Sequence, residues 1–108
     1  MKIRDVELEL DIYDADAADA VEESMRQVVE DVAQIEKQSG DMSAGECVRA
    51  QCASVFQCFD TVFGAGTAKR IFGDRVNLAE AVKAFRQLVL EVERQKRVMS
   101  AELSKMRS

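Results

Sequence analysis

The chain has 108 residues, 47% hydrophobic and 32% charged, with no Pro and no Trp. That balance predicts one folded domain across 1–108 and excludes a disordered polymer. The net charge of −5 is polarised: residues 1–46 hold 14 acidic and 4 basic side chains, residues 47–108 hold 6 acidic and 11 basic. Such a chain can neutralise itself by folding one half on the other, or stack head to tail with copies of itself. No apolar run approaches the roughly 20 residues of a membrane span, and the charged, alternating start shows no signal-peptide pattern.

Val6, Leu8, Leu10 and Ile12 alternate with Glu7, Glu9 and Asp11, the period of a half-buried strand. Ile3 is out of that register, so Arg4-Asp5 is read as a turn between two short strands within about 2–12. A lone hairpin is unstable in water and must pack on a helix or pair with another chain. Asp14 or Asp16 can cap a helix over about 15–38, whose apolar stripe is Val21, Met25, Val28, Val32 and Ile35. Ser39-Gly40-Asp41 ends it, and Ser43 with Glu46 forms the capping box of a second helix over about 44–63. The stripe there is Val48, Cys52, Val55, Phe59 and Val62, widened by Phe56 and Phe63. As the most apolar helix, it is placed at the centre of the core.

Residues 63–77 hold three of the five glycines and two of the five phenylalanines. Gly64 is positioned to end the second helix, Thr67 to cap a short helix over 67–72, and Gly73 to end that. Asn77 and Glu80 offer the next cap, for a last helix over about 78–105. Its stripe reads Leu78, Val82, Phe85, Val89 and Val92, then continues through Lys96 to Met99, Leu103 and Met106. The polar break at Lys96 predicts a helix that outruns the core, as a solvated extension or against a partner chain. The fold expected is therefore mainly α: a short N-terminal strand or hairpin, then three long helices and one short one.

Catalytic chemistry is hard to place. Histidine is absent, which removes the usual nucleophile–His pairs and His metal sites. Neither a cofactor nor a metal site is expected, and the chain is not read as an enzyme. Cys47, Cys52 and Cys58 share one predicted helix. Cys47 and Cys52 are about 140° apart around its axis, and Cys47 and Cys58 about 16 Å apart along it. A disulfide within the helix is excluded, and the plain reading is packing residues in a reducing cytoplasm. The stretch Gly64-Ala65-Gly66-Thr67-Ala68-Lys69 has only part of a phosphate loop and no preceding strand.

The order 67–72, 73–76, 77 onward loosely has the form of a helix-turn-helix, with Lys69, Arg70, Arg75, Lys83 and Arg86 as its cations. The last helix nevertheless begins Leu78-Ala79-Glu80-Ala81-Val82, where a recognition helix presents polar groups to base edges. Nucleic acid is thus an unfavoured partner.

The order of parts resembles the small tail assembly chaperones of long-tailed phages and prophages of Gram-positive-type hosts. The likeness is carried by the β segment at 6–12, Asp14-Ala15-Asp16-Ala17, Phe59-Asp60-Thr61-Val62-Phe63-Gly64-Ala65-Gly66-Thr67, Ile71-Phe72-Gly73-Asp74 and Asn77-Leu78. Those proteins often read Phe-Gly-x-Gly-Thr, then Phe-Gly, then Asn-Leu. This chain departs from them at the N-terminus, with Arg4-Asp5 in place of Asn-Gly in the hairpin.

The resemblance implies a binding protein of the bacterial cytoplasm that coats the tape measure protein before the tail tube forms. Self-association along that rod suits the polarised charge. The alternative is a small helical oligomeric scaffold or adaptor; a DNA-binding regulator is a lesser one. For the central turn, Phe63, Gly64, Gly66, Thr67, Phe72, Gly73 and Asn77 are read as structural joints. Lys69, Arg70 and Arg75 are the candidate partner-binding residues on its outer face.

Overall fold

The computed structural model describes residues 1–107. Two short strands, β1 (Lys2–Ile3) and β2 (Val6–Glu7), pair antiparallel with Lys2 opposite Glu7 and Ile3 opposite Val6. Arg4 and Asp5 make the connecting turn with φ of 47° and 69°. Two consecutive left-handed residues match the right-handed twist of a tight hairpin. The Leu8 N–H donates to the Met1 carbonyl at 2.7 Å and extends the pairing by one step.

The strand expected from the alternation over 6–12 is therefore largely absent. The alternation marks burial: Leu8 and Ile12 are in the core, Val6 and Leu10 half-buried. The backbone at 10–12 is held by a side chain. The Gln95 amide donates to the Leu10 carbonyl at 2.8 Å and accepts from the Ile12 N–H at 3.1 Å. One glutamine supplies the donor and acceptor that a neighbouring strand would offer. Ile3, which the alternation left out, is fully buried.

Four helices follow: α1 (Ala15–Gln38), α2 (Ala44–Phe63), α3 (Thr67–Phe72) and α4 (Leu78–Lys105). Each boundary coincides with the expected one, and at the starts of α1, α2 and α4 a local side-chain cap sets it. The Asp14 carboxylate accepts from the Ala17 N–H at 2.9 Å. A 3-10 turn over Ser39–Asp41 finishes α1. Ser43 and Glu46 form the reciprocal capping box of α2 at 3.0 and 2.9 Å. Asn77 Oδ1 accepts from the Glu80 N–H at 3.1 Å at the start of α4.

Thr67 is not the cap of α3. Gly66 occupies the N-cap with φ of 90°, and the Asp60 carboxylate, on α2, accepts from the Ala68 N–H at 2.8 Å. The Thr67 hydroxyl donates back to the Gly64 carbonyl at 2.7 Å. Glu80 likewise turns away from a reciprocal cap and binds Arg75 at 2.8 Å and Arg4 at 3.6 Å.

The core joins Val21 and Val28 of α1, Cys52, Val55 and Phe59 of α2, Ile71 and Phe72 of α3, and Ala81, Ala84, Leu88 and Val92 of α4. On α4 the buried line is rotated from the expected one. Ala81, Ala84 and Leu88 face inward; Leu78, Phe85 and Val89 are half-buried, and Val82 is 54% exposed. Ala81 and Ala84 are 0% and 1% exposed, so a valine at either place would overpack the core and force its neighbours to shift. Beyond Lys96 the helix outruns the core as expected: Leu103 is 54% exposed, and Met106, just past the helix end, is 80% exposed. The overall extents, 57 × 30 × 20 Å, reflect that projection.

Candidate functional site

The central turn resolves into joints. Gly64, Gly66 and Gly73 all have positive φ, and a Cβ at any of them would meet nothing within 4 Å. The requirement for glycine there is backbone conformation, not close approach. Phe72 is buried between Phe56, ring centroids 4.8 Å apart, and Phe59, 6.1 Å in an edge arrangement. Phe63 is half-buried and stacks on Phe59 at 6.0 Å. From the hairpin, Arg4 Nε donates to the Ile71 carbonyl at 3.3 Å, so the N-terminal segment braces α3.

The candidate cations on this turn do not converge on one site. Lys69 bonds to Asp74, holding that carboxyl below its usual range, chiefly through the hydrogen bond. Arg75 is paired with Glu80, and Arg70 is exposed.

Other chemistry is sparse. Cys58 is buried and its thiol pushed up to about 12 by desolvation; burial raises Cys52 in the same direction. Such thiols are protonated and poor nucleophiles at neutral pH. A small polar recess beside Cys58, about 170 Å³, is lined by Ser24, Asp31, Ser54 and Thr61, where the Ser54 hydroxyl donates to Asp31 at 2.7 Å. Among the described residues no group of three or more His, Cys, Asp or Glu is arranged to hold a metal ion. No helix of the described residues is long and apolar enough to cross a membrane.

The feature with binding character lies away from the turn. Val28, Val29 and Val32 of α1, Gln51 and Val55 of α2, and Leu78, Val82 and Phe85 of α4 line an open groove of about 260 Å³. Val29 and Val82 are 63% and 54% exposed on its walls, Gln51 is its only polar lining residue, and Val55 is buried. The groove exists because α4 turns its alanine line to the core and leaves its valine–leucine–phenylalanine line facing outward. Three helices thus present the surface onto which a fourth would pack in a four-helix bundle. The sequence reading treated all these α4 residues as core and passed over Val29. The available signal was the adjacent pair Val28-Val29, too wide an apolar arc for one buried stripe.

Residues 4–108 match the family of unknown function DUF6673, and the chain belongs to that family. No curated protein and no solved structure matches it.

Proposed function

We propose that this DUF6673 member is a tail assembly chaperone of a long-tailed phage or prophage, acting in the cytoplasm of the bacterial host. Its client is the tape measure protein, a long helical rod with apolar faces. The observation that carries the reading is the groove between α1, α2 and α4. An amphipathic helix laid there buries its apolar face against Val29, Val82 and Phe85, the helix-in-groove mode of recognition. A rod so covered no longer exposes contiguous apolar surface, which otherwise drives aggregation. The order of glycine, phenylalanine and cap residues at 59–78 supports the same assignment by resemblance.

The direct experiment is co-expression with the protein encoded by the longest neighbouring tail gene. The expected result is a soluble complex that co-purifies, and its loss on Val82→Asp while this chain stays folded. A partner equally soluble alone, with no co-purification, refutes the reading. A second reading, a small helical scaffold or adaptor, is favoured by the exposed end of α4, which has apolar residues without a client in view. A genome without a tape-measure-like gene nearby would favour it over the first.

A further inference from the structure

The groove carries charge on its rims and none in its lining. Gln51 is the only polar lining residue, and its amide donates to the Cys47 carbonyl at 3.2 Å. Selection among apolar partners therefore falls to the rims.

The α4 rim is cationic. Lys83 follows Val82, and Arg86 stands one turn past Val82; both are exposed. Neither has an ion-pair partner among the described residues. The carboxylate nearest in sequence, Glu80, binds Arg75 and Arg4 instead. Glu93 comes about 10 Å further along the helix than Arg86, beyond the groove.

The α1 rim differs. Arg26, one turn before Val29, is held between Glu23 and Glu30 of its own helix. Glu36 stands one turn past Val32, with Lys37 next to it, and both are exposed. Asp31 lines the polar recess beside Cys58 instead, where it accepts from Ser54. Three rim carboxylates thus offset two cations on the α1 side, against two uncompensated cations on the α4 side.

We propose that the groove receives an amphipathic helix of another protein with Asp or Glu along one border of its apolar stripe, and that Lys83 and Arg86 fix the direction in which that helix lies. Leu78 to Phe85 spans about 10 Å of α4, room for two turns of such a helix. With its apolar stripe on the groove floor, turning the helix end for end exchanges its two edges. Only one direction sets the acidic edge over Lys83 and Arg86; the other sets it over Glu30 and Glu36. Complementary charge thereby selects register and orientation on a surface that apolar contact alone leaves ambiguous. The proposal rests on the chaperone reading for the identity of the client, whereas the preference for an acidic edge belongs to the groove itself.

Synthetic peptides test it without the client. Two fluorescent alanine-based helices of about 18 residues carry the same leucine stripe, one bordered on one edge by Glu and the other by Lys. Fluorescence polarisation should show the Glu-edged peptide binding about tenfold tighter at low salt, with the gap closing as salt is raised. Lys83→Glu/Arg86→Glu should reverse the order, and a gain for the Lys-edged peptide cannot come from lost structure. Val82→Asp should weaken both; should it fail to fold, Val29→Asp on the opposite wall takes its place. A nitroxide at the peptide N-terminus should broaden amide signals at one end of the groove, and moving the Glu residues to the other edge should shift the broadening to the other end. Equal affinities, no binding of either peptide, an order unchanged by the charge reversal, or broadening at both ends overturns the proposal. So does a groove already filled by a second copy, seen as a dimer in sedimentation that Val82→Asp dissociates. A tape measure protein that co-purifies while the peptides bind alike would leave the chaperone reading standing and remove only the directional groove.

Discussion

Phe72→Ala tests whether the central turn is a structural joint. The ring is 4% exposed and packs on Phe56 and Phe59. Removing it loses its transfer free energy, about 1.5–3 kcal/mol, and leaves a cavity that the neighbours fill only in part. Phe→Ala changes in cores cost about 3–5 kcal/mol in all. α3 has only six residues between glycine joints and can shift inward to fill part of the space, so the lower half of that range, about 3–4 kcal/mol, is expected. For a domain near this size the fall in Tm is about 4–8 °C per kcal/mol, so at least about 12 °C. Urea melts followed at 222 nm measure it; the midpoint should fall with the slope unchanged. Exposed Val29→Ala is the control and should stay within about 0.5 kcal/mol. A loss below about 1 kcal/mol for Phe72→Ala, with helicity intact, would refute the packing argument and move the turn to a surface role.

Gln95→Ala removes both hydrogen bonds to the 10–12 backbone and should cost about 1–3 kcal/mol; hydrogen exchange at the Ile12 amide should accelerate at least tenfold, and unchanged protection would show that packing alone holds the segment. Glu91 is held down to about 2, first by the Arg94 hydrogen bond and then by Gln95, against an ordinary value of 4.5. Because the folded value is the lower one, its contribution is full above about pH 4.5 and lost as pH falls toward 2. After allowance for solvent screening it amounts to about 1–2 kcal/mol. Stability curves for wild type and Glu91→Gln should therefore converge in that window; parallel curves would refute the assignment. Gly66→Ala should destabilise by about 1–2 kcal/mol and Gly40→Ala should not. Both sites are sterically open, and only Gly66 has positive φ, at 90°, so equal effects on Tm would mean conformation is not what selects glycine at 66.

Much of this architecture follows from interactions confined to a few neighbouring residues, which a sequence displays directly. The limits of α1, α2, α3 and α4 were legible because Asp14, Ser43 with Glu46, Asn77 and the glycines at 64 and 73 satisfy or end the backbone locally. The hairpin turn at Arg4-Asp5 was legible for the same reason. The cap of α3 was not, because Asp60 reaches it from another helix. The alternation over 6–12 reported which side chains are buried but could not say what pairs with the backbone; Gln95 does so from 83 residues away.

Nor could periodicity choose between the two adjacent lines on α4. Leu78, Val82, Phe85 and Val89 are the more apolar, yet Ala81, Ala84 and Leu88 are the ones that enter the core. The sequence by itself determined that four helices form, where they stop, and that the last one projects past the core. Tertiary structure decided which face of α4 is inside, since close approach of helices depends on the volume available between them and favours small side chains there. The groove is the consequence: its residues were visible as hydrophobic, but only packing shows that they lack a covering helix.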